Sequence, residues 1–334
     1  MKIYTIKDVA RLAGVSVTTV SRVLNHRPDV NRETREKVER VMAEVHFVGN
    51  ANARGLKQAD TDLVAIILRG RENPFLGSLA EALARSAAGC PFAFLTEYID
   101  EMDDEFAAAL RLYQEKRVTG FIFVGSRIDE RSAALAGLDI PMVFLTVDAR
   151  ASALSRAASV SVDDRAMSCE AVRALLSRGH RRIAVFGGSR QGIDSLALRY
   201  AGVLDAFREA GESFDDSLFA ETRFTLRDAC AAARTFFASH PDVTAAFCMS
   251  DTVALGVIRA LADLGRRVPE DVSVVGFDGT EMGRFAIPRL STVEQPVEEL
   301  ARQSISVLTD MLVSGAAPRH VTVAASVRIR ESVR

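Results

Sequence analysis

Residues 16–25, SVTTVSRVLN, concentrate side chains that can read a polyanion. At helical spacing Val20, Val23 and Leu24 share one face, and Val17, Thr18, Ser21, Arg22 and Asn25 share the other. Hydroxyls, an amide and a guanidinium with few acids beside them suit a phosphate backbone, and the Arg22 fork matches the acceptor edge of guanine. A small helical bundle with no such role has the same inward stripe. A second group of polar side chains gathers at the ends of apolar runs: Arg69 to Phe75, Thr96, Gly125 and Ser126, Thr146 to Asp148, Gly187 to Arg190, Ser250 and Asp251, Asp278 and Gly279. If those runs are parallel strands, the groups share one sheet edge, where small polar ligands bind.

The elements that position the first group are three helices. Thr5 to Asp8 has capping-box spacing, and Ile6, Val9, Ala10 and Ala13 follow at helical intervals. Gly14 supplies the positive φ that ends this helix, and Ser16 caps the next, which runs to about Asn25. A third helix starts near Asn31 with the stripe Val38, Val41, Met42 and Val45. Two short helices around a tight glycine turn, backed by a third, form a helix-turn-helix pattern. Residues 50–58 are too short and too weakly apolar to hold a helix alone, although the segment can fold when docked.

From residue 61 strand-like runs alternate with helical ones. LVAIIL (63–68), FAFLTE (92–97), GFIFVG (120–125) and PMVFLTV (141–147) make one series; SVSVD (159–163), RIAVFGG (182–188), AAFCMS (245–250) and VSVVGFD (272–278) make a second. Alternating β and α elements imply parallel sheets covered on both faces, and two series imply two similar lobes. The organisation expected is a head over 1–49, a hinge helix and linker over 50–60, and an α/β body over 61–334. Lobe one would take about 61–161 plus 297–324, and lobe two about 162–292 plus 325–334.

Charge sorts the same way. Residues 1–60 hold eleven Lys and Arg against seven Asp and Glu, a balance of +4, while the remainder is −6. A basic head on an acidic body points to a polyanion at the head alone. The 334 residues, 48% hydrophobic and 26% charged, fit a folded protein rather than a disordered chain. No apolar run reaches the roughly 18 residues of a membrane span, and MKIYTIKDVARLAGV lacks the apolar core of a secretory signal, so a cytoplasmic location is expected. Cys90, Cys169, Cys230 and Cys248 form no CxxC pair, which argues against a zinc site or a disulfide frame.

TIKDVARLAGVSVTTVSRVLN (5–25) closely resembles the N-terminal signature of the lactose-repressor (LacI) family of bacterial transcription regulators. The resemblance continues through TREKVERVMAEVHF (34–47) and NANARGL (50–56). It reappears at NPFL (73–76), GHRRIAVFGG (179–188), RYAGVLDAFREAG (199–211), SDTVALGVIRAL (250–261), VPEDVSVVGFD (268–278) and LSTVEQP (290–296). It implies a dimer that binds a pseudo-palindromic operator, with the second head helix in the major groove. Val17, Thr18 and Arg22 match positions that usually read bases; Ser16, Thr19, Ser21, Asn25 and Thr34 match positions that hold phosphates. In the hinge, Asn50, Ala53 and Leu56 match DNA-contacting positions, Leu56 being the wedge that opens a base step. In isolation Leu56 reads as an ordinary core leucine.

The body resembles sugar-binding periplasmic proteins. Phe75, Arg199, Phe224, Ser250, Asp251 and Asp278 fall at or beside effector positions, and Thr146 stands where many relatives have Asp. Met167, Gly49 and Ser250 also replace the usual Gly, Pro and Asn. Carboxylates and Arg suit paired sugar hydroxyls, and aromatic rings cover a sugar face or stack on a base. The alternatives are core packing for the two phenylalanines, a helix cap for Asp251, and a simple ion pair between Arg199 and Asp278. His180, in a turn, reads as structural.

Three other readings compete. An enzyme would need a P-loop, a strand-linked GxGxxG, a metal pattern or a nucleophile arrangement, none of which the sequence carries. A transport binding protein would need an export signal and no head. A corepressor-dependent regulator would bind a purine-like ligand between Phe75 and Phe224. The expectation is a non-enzymatic repressor without cofactor or metal, controlled by a sugar or sugar derivative. With no heptad tail after VRIRESV, it is expected to dimerise through the body.

Overall fold

The computed structural model describes residues 6–24, 30–44, 62–70, 72–188, 190 and 194–334. The chain falls into two compact units, residues 1–61 and 62–334.

The small unit holds α1 (Ile6–Ala13), α2 (Val17–Leu24) and α3 (Arg32–Glu44). Gly14 ends α1 at φ +63°, and the N–H groups of Gly14 and Val15 return to the carbonyls of Arg11 and Ala10. Two residues later Ser16 opens α2, its Oγ accepting the Thr19 N–H at 3.1 Å. Asn31 does the same for α3, accepting the Thr34 N–H at 2.8 Å. Val9, Ala10, Ala13, Val20, Val23 and Val38 form the shared core, with Val41 and Met42 against it. Thr5, Val45 and the hinge over 50–58 lie outside the described residues.

The large unit contains two six-stranded sheets. The first has the order β11-β5-β4-β3-β1-β2, from β1 (Leu63–Arg69), β2 (Ala93–Ile99), β3 (Gly120–Val124), β4 (Met142–Leu145), β5 (Ala157–Ser161) and β11 (His320–Thr322). The second has the order β12-β10-β9-β8-β6-β7, from β6 (Ile183–Gly187), β7 (Phe219–Glu221), β8 (Ala245–Cys248), β9 (Ser273–Asp278), β10 (Ser291–Glu294) and β12 (Ser326–Arg328). Every pairing is parallel except β10 with β12. The chain passes from the first sheet to the second after β5, returns after β10, and passes again after β11.

Both faces of each sheet are buried, which is why the strands read as continuous apolar runs. In lobe one Val64, Ile66 and Leu68 face Leu79 and Leu83 of α4 (Pro74–Ser86) and Leu308 of α11 (Val297–Val313). On the other face Ala65 and Ile67 join Phe121, Phe123 and Phe144 over Phe106 and Leu112 of α5 (Glu105–Lys116). In lobe two α6 (Asp164–Leu176) and α7 (Ser195–Glu209) cover one face, while α8 (Leu226–Ser239) and α9 (Asp251–Asp263) cover the other. The short α10 (Glu281–Phe285) follows β9.

Two expectations change. The run at 159–163, grouped with the second series by order along the chain, contributes β5 to the first sheet, where it pairs β4 and β11. Thr96 is not a strand end: β2 continues to Ile99, so Asp100 and Glu101 occupy the sheet edge instead.

Candidate functional site

The head presents its polar residues on α2. Val17 is 41% exposed, Thr18 and Arg22 are exposed, and Thr19 and Ser21 are half-buried. Ser16 and Thr19 are already bound to each other, their hydroxyl oxygens 2.9 Å apart, so they brace the start of the helix whose outer face carries Val17, Thr18 and Arg22. Thr34 is half-buried, with its N–H held by Asn31. Asn25, Asn50, Ala53 and Leu56 lie outside the described residues.

In the body the strand ends of the two sheets meet around a cavity of about 190 Å³. Phe75, Thr146, Arg199, Phe224, Ser250 and Asp278 all line it. Asp251 does not. It is fully buried behind the wall, where Oδ2 accepts the N–H of Thr280 at 2.7 Å and its hydroxyl at 2.9 Å, and Oδ1 accepts the Thr292 hydroxyl at 2.5 Å. These bonds tie the β9–α10 turn to β10. Nor does Asp251 cap α9: Ser250 Oγ takes that place, accepting the Val253 N–H at 3.1 Å.

Arg199 is positioned by helix packing. α6 and α7 approach so closely that a Cβ on Gly202 would sit 2.2 Å from the Arg165 carbonyl oxygen. The contact brings Asp164 to Arg199, whose Nε donates to Asp164 Oδ1 at 2.8 Å while a terminal nitrogen donates to the Met249 carbonyl at 2.5 Å. The guanidinium lies 3.6 Å from the centre of the Phe277 ring. Asp278 Oδ1 is 3.9 Å from Arg199 and instead accepts the Gln295 amide at 3.0 Å; Oδ2 has no partner among the described residues. A simple Arg199–Asp278 pair therefore does not account for either side chain.

Charge is costly here. Burial pushes Asp164 up to about 6, with Arg199 pulling against it. Burial likewise holds Asp278 well above the usual carboxylate range, again opposed by Arg199. Asp278 also has φ +125° and Thr146 φ +77°, so two of the three described non-glycine residues with positive φ line this cavity. Backbone strain of that kind collects at ligand sites.

Phe75 and Phe224 serve two purposes: both line the cavity, and both pack into the hydrophobic core. His180 is buried, its Nδ1 2.9 Å from the Thr244 hydroxyl, which fits a structural residue. The cavity also holds charged residues that the sequence did not single out: Arg127, Asp194 and Arg223, beside Arg69. Arg127 Nε reaches Asp194 across the lobes at 3.3 Å, and Arg223 pairs with Glu101 and, at 3.3 Å, with Asp100. Asp194 had a readable signal, an Asp before a helix, and it caps α7 through the Leu196 and Ala197 N–H groups. No group of three potential metal ligands comes together among the described residues, and no described helix is long and apolar enough to cross a membrane.

Comparison with known proteins agrees with this geometry. Residues 5–50 match bacterial regulatory proteins of the lacI family, and residues 172–333 match a periplasmic binding protein-like domain. The chain is 30% identical over 320 residues to the HTH-type transcriptional regulator MalR of Clostridium butyricum, covering 95% of each. It is similar to a lac repressor dimer bound to operator and the anti-inducer ONPF, at a TM-score of 0.79 and 26% identity over 99% of each chain. A CelR–cellobiose complex matches at a TM-score of 0.74 and 28% identity, over 98% of this chain and 99% of that one. A three-helix head of matching sequence and a two-lobed body with polar strand ends thus converge on one assignment: this chain belongs to the lacI family and is a DNA-binding transcriptional regulator, not an enzyme.

Proposed function

We propose that this regulator is a dimeric repressor whose hold on a pseudo-palindromic operator is controlled by a sugar or sugar derivative bound between its lobes. The observation that carries the ligand reading is Asp278: a buried carboxylate on the cavity wall with one oxygen unpartnered among the described residues, beside an arginine already oriented by Asp164. A hydroxyl pair on a sugar satisfies such an acceptor and donor together, and Phe75 and Phe224 supply apolar surface for a ring face. The CelR–cellobiose complex supports the same class of ligand.

In the head, Arg22 with Val17 and Thr18 would read bases, while Ser16, Thr19, Ser21 and Thr34 would hold the backbone; Asn25, Asn50, Ala53 and Leu56 complete the proposed DNA contacts. Dimerisation is supported by the operator-bound lac repressor dimer and by the exposed apolar side chains Met282, Phe285 and Ile287, the last two 79% and 95% exposed. Ligand then shifts operator affinity by binding two body states unequally.

The test pairs two measurements. Operator binding should weaken steeply with salt, and Arg22→Ala should cost about 1–3 kcal/mol on the operator but little on a scrambled duplex. Equal loss on both duplexes would make Arg22 a phosphate contact only. Thermal-shift screening with sugars, sugar acids, sugar phosphates and nucleobases should find a sugar-class ligand that raises the melting temperature. Stabilisation by a nucleobase alone would replace this reading with the purine corepressor.

A further inference from the structure

The cleft extends past the cavity of Arg199 and Asp278. That cavity measures about 190 Å³, below the roughly 300–1,000 Å³ of most small-ligand sites. A second cavity of about 320 Å³ adjoins it and shares Arg69, Glu101, Arg127, Leu196, Arg223 and Phe224 with its lining. Met102, Gly188, Glu221 and Thr222 line the second cavity and not the first. The two are an inner and an outer chamber of one cleft.

The outer chamber is built from ordered parts. Gly188 follows β6, and a Cβ there would lie 2.7 Å from Leu196 Cδ1 and 3.2 Å from Phe224 Cε2. The missing side chain lets Leu196 and Phe224 lie over the backbone. Both are half-buried and pack against the hydrophobic core, which holds them in place without a ligand. Beside them the Thr222 N–H donates to the Gly187 carbonyl at 2.8 Å, carrying the β6–β7 ladder one residue past Glu221. Met102 adds apolar surface from lobe one, 71% exposed, on a turn fixed by its N–H donating to Asp100 Oδ1 at 3.0 Å. The chamber thus has an apolar floor, with the Thr222 hydroxyl and the Glu221 carboxylate as its own polar groups.

The charges common to both chambers are compensated within the protein. Arg223 donates to Glu101 and Asp100, Arg127 donates to Asp194 Oδ2 at 3.3 Å, and Glu105 and Glu101 act on Arg69. No charged group is therefore required of the ligand here. An apolar floor with hydroxyl and carboxylate groups beside it matches a second sugar ring, whose C–H face covers Leu196, Phe224 and Met102 while its hydroxyls bond at the edge. A single ring held by Arg199 and Asp278 would leave that apolar surface wet. We infer that the cleft takes a neutral disaccharide, with one ring at Arg199 and Asp278 and the second in the outer chamber over Leu196 and Phe224, its hydroxyls on Thr222 and Glu221. This assignment rests on the sugar reading above and deepens it to a two-ring member of that class.

The experiment is calorimetric titration of the full-length protein with hexoses, their methyl glycosides, and the α- and β-linked disaccharides of the same hexoses. Thr222→Phe, which fills the outer chamber, and Met102→Ala, which strips its exposed side, are run in parallel with thermal melts to check folding. At least one disaccharide should bind tenfold or more tighter than either of its constituent sugars. That advantage should fall at least tenfold in Thr222→Phe and several-fold in Met102→Ala, while the affinity for the single sugar stays within twofold. If Thr222→Phe melts early, Met102→Ala on its exposed turn decides alone. A single sugar that binds as tightly as every disaccharide containing it overturns the inference but keeps the sugar site. A disaccharide preference that survives intact in the folded variants also overturns it, since the second ring then lies elsewhere. Binding of a nucleobase with no response to any sugar overturns both readings.

Discussion

The arginines on the two walls of the cleft are held in different ways. On lobe two, Arg199 is held by Asp164, the Met249 carbonyl and the Phe277 ring before any ligand arrives. On lobe one, Arg69 has a backbone carbonyl and an unpartnered Nε among the described residues, and Arg127 reaches a carboxylate only on the other lobe. An arginine held by several fixed partners is preorganised before any ligand arrives. An arginine with fewer partners on its own lobe has more to gain from a ligand or from closure. The stability of the fold should therefore depend more on the first wall, and the response to ligand more on the second.

Removing Arg199 should break this contrast most severely. Arg199→Ala leaves Asp164 buried without its partner, a loss of about 3–5 kcal/mol in stability. Asp164 already titrates at about 6 instead of the ordinary 3.8, so folding raises its proton affinity. A raised carboxylate pKa costs stability once the group must ionise: the cost is absent below about pH 4 and complete above the folded pKa. Without Arg199 that pKa rises further. Denaturant titrations should show the loss large at pH 8 and shrinking steadily towards pH 4. Asp164→Asn in the same background should restore stability without restoring ligand binding. A loss that does not vary with pH would mean that Arg199 acts by packing on Phe277, not by pairing with Asp164.

What the sequence revealed follows the range of the interactions involved. The head was legible because its signals are local: Gly14 sets a positive φ, Ser16 caps the helix it precedes, and one valine stripe makes the core. Most sheet strands were legible because burial on both faces leaves an unbroken apolar run. Edge strands were not. β2 is half-exposed and alternates, so its end was placed at Thr96, short of the Asp100 and Glu101 that reach the cavity. The edge strands β7 and β11, three residues each, and the interior strand β10, four residues, carry too little pattern. In the site, residue types were readable but directions were not. Asp251 turns away because Thr280 and Thr292, 29 and 41 residues distant, supply its donors. Arg127 and Arg223 gain meaning only when the lobes face each other.

Asp251 and Asp278 sharpen the comparison within one wall. Both are buried aspartates raised above the ordinary range, Asp251 to about 6. Asp251 accepts three hydrogen bonds from Thr280 and Thr292, whereas Asp278 accepts one from Gln295 and leaves an oxygen unpartnered among the described residues. In Asp251→Asn an amide would face hydroxyl and N–H donors, so stability should fall by about 1–3 kcal/mol with ligand affinity little changed. Asp278→Asn removes a poorly satisfied buried charge, so its melting temperature should hold or rise while ligand affinity drops. Paired melting and calorimetric titrations read both. Equal destabilisation by the two substitutions would make Asp278 a structural residue and remove it from the site.

The bridge between the walls should give the smallest change in stability and a selective change in kinetics. Arg223, on lobe two, pairs with Glu101 and Asp100 of lobe one, with its side chain half exposed. Exposed pairs contribute little to folding, since solvent screens them and two long side chains must be ordered to form them. Arg223→Ala should therefore leave the melting temperature unchanged. The same pair exists only while the lobes are together, so it favours the closed form alone. A ligand must wait for opening before it leaves, and loss of the bridge should raise its dissociation rate several-fold with little effect on association. Added salt should reproduce part of this in the wild-type protein and none of it in the variant. Stopped-flow displacement across a salt series measures both rates. An association rate that falls while dissociation stays fixed would place Arg223 in steering the ligand inward, not in holding the two walls together.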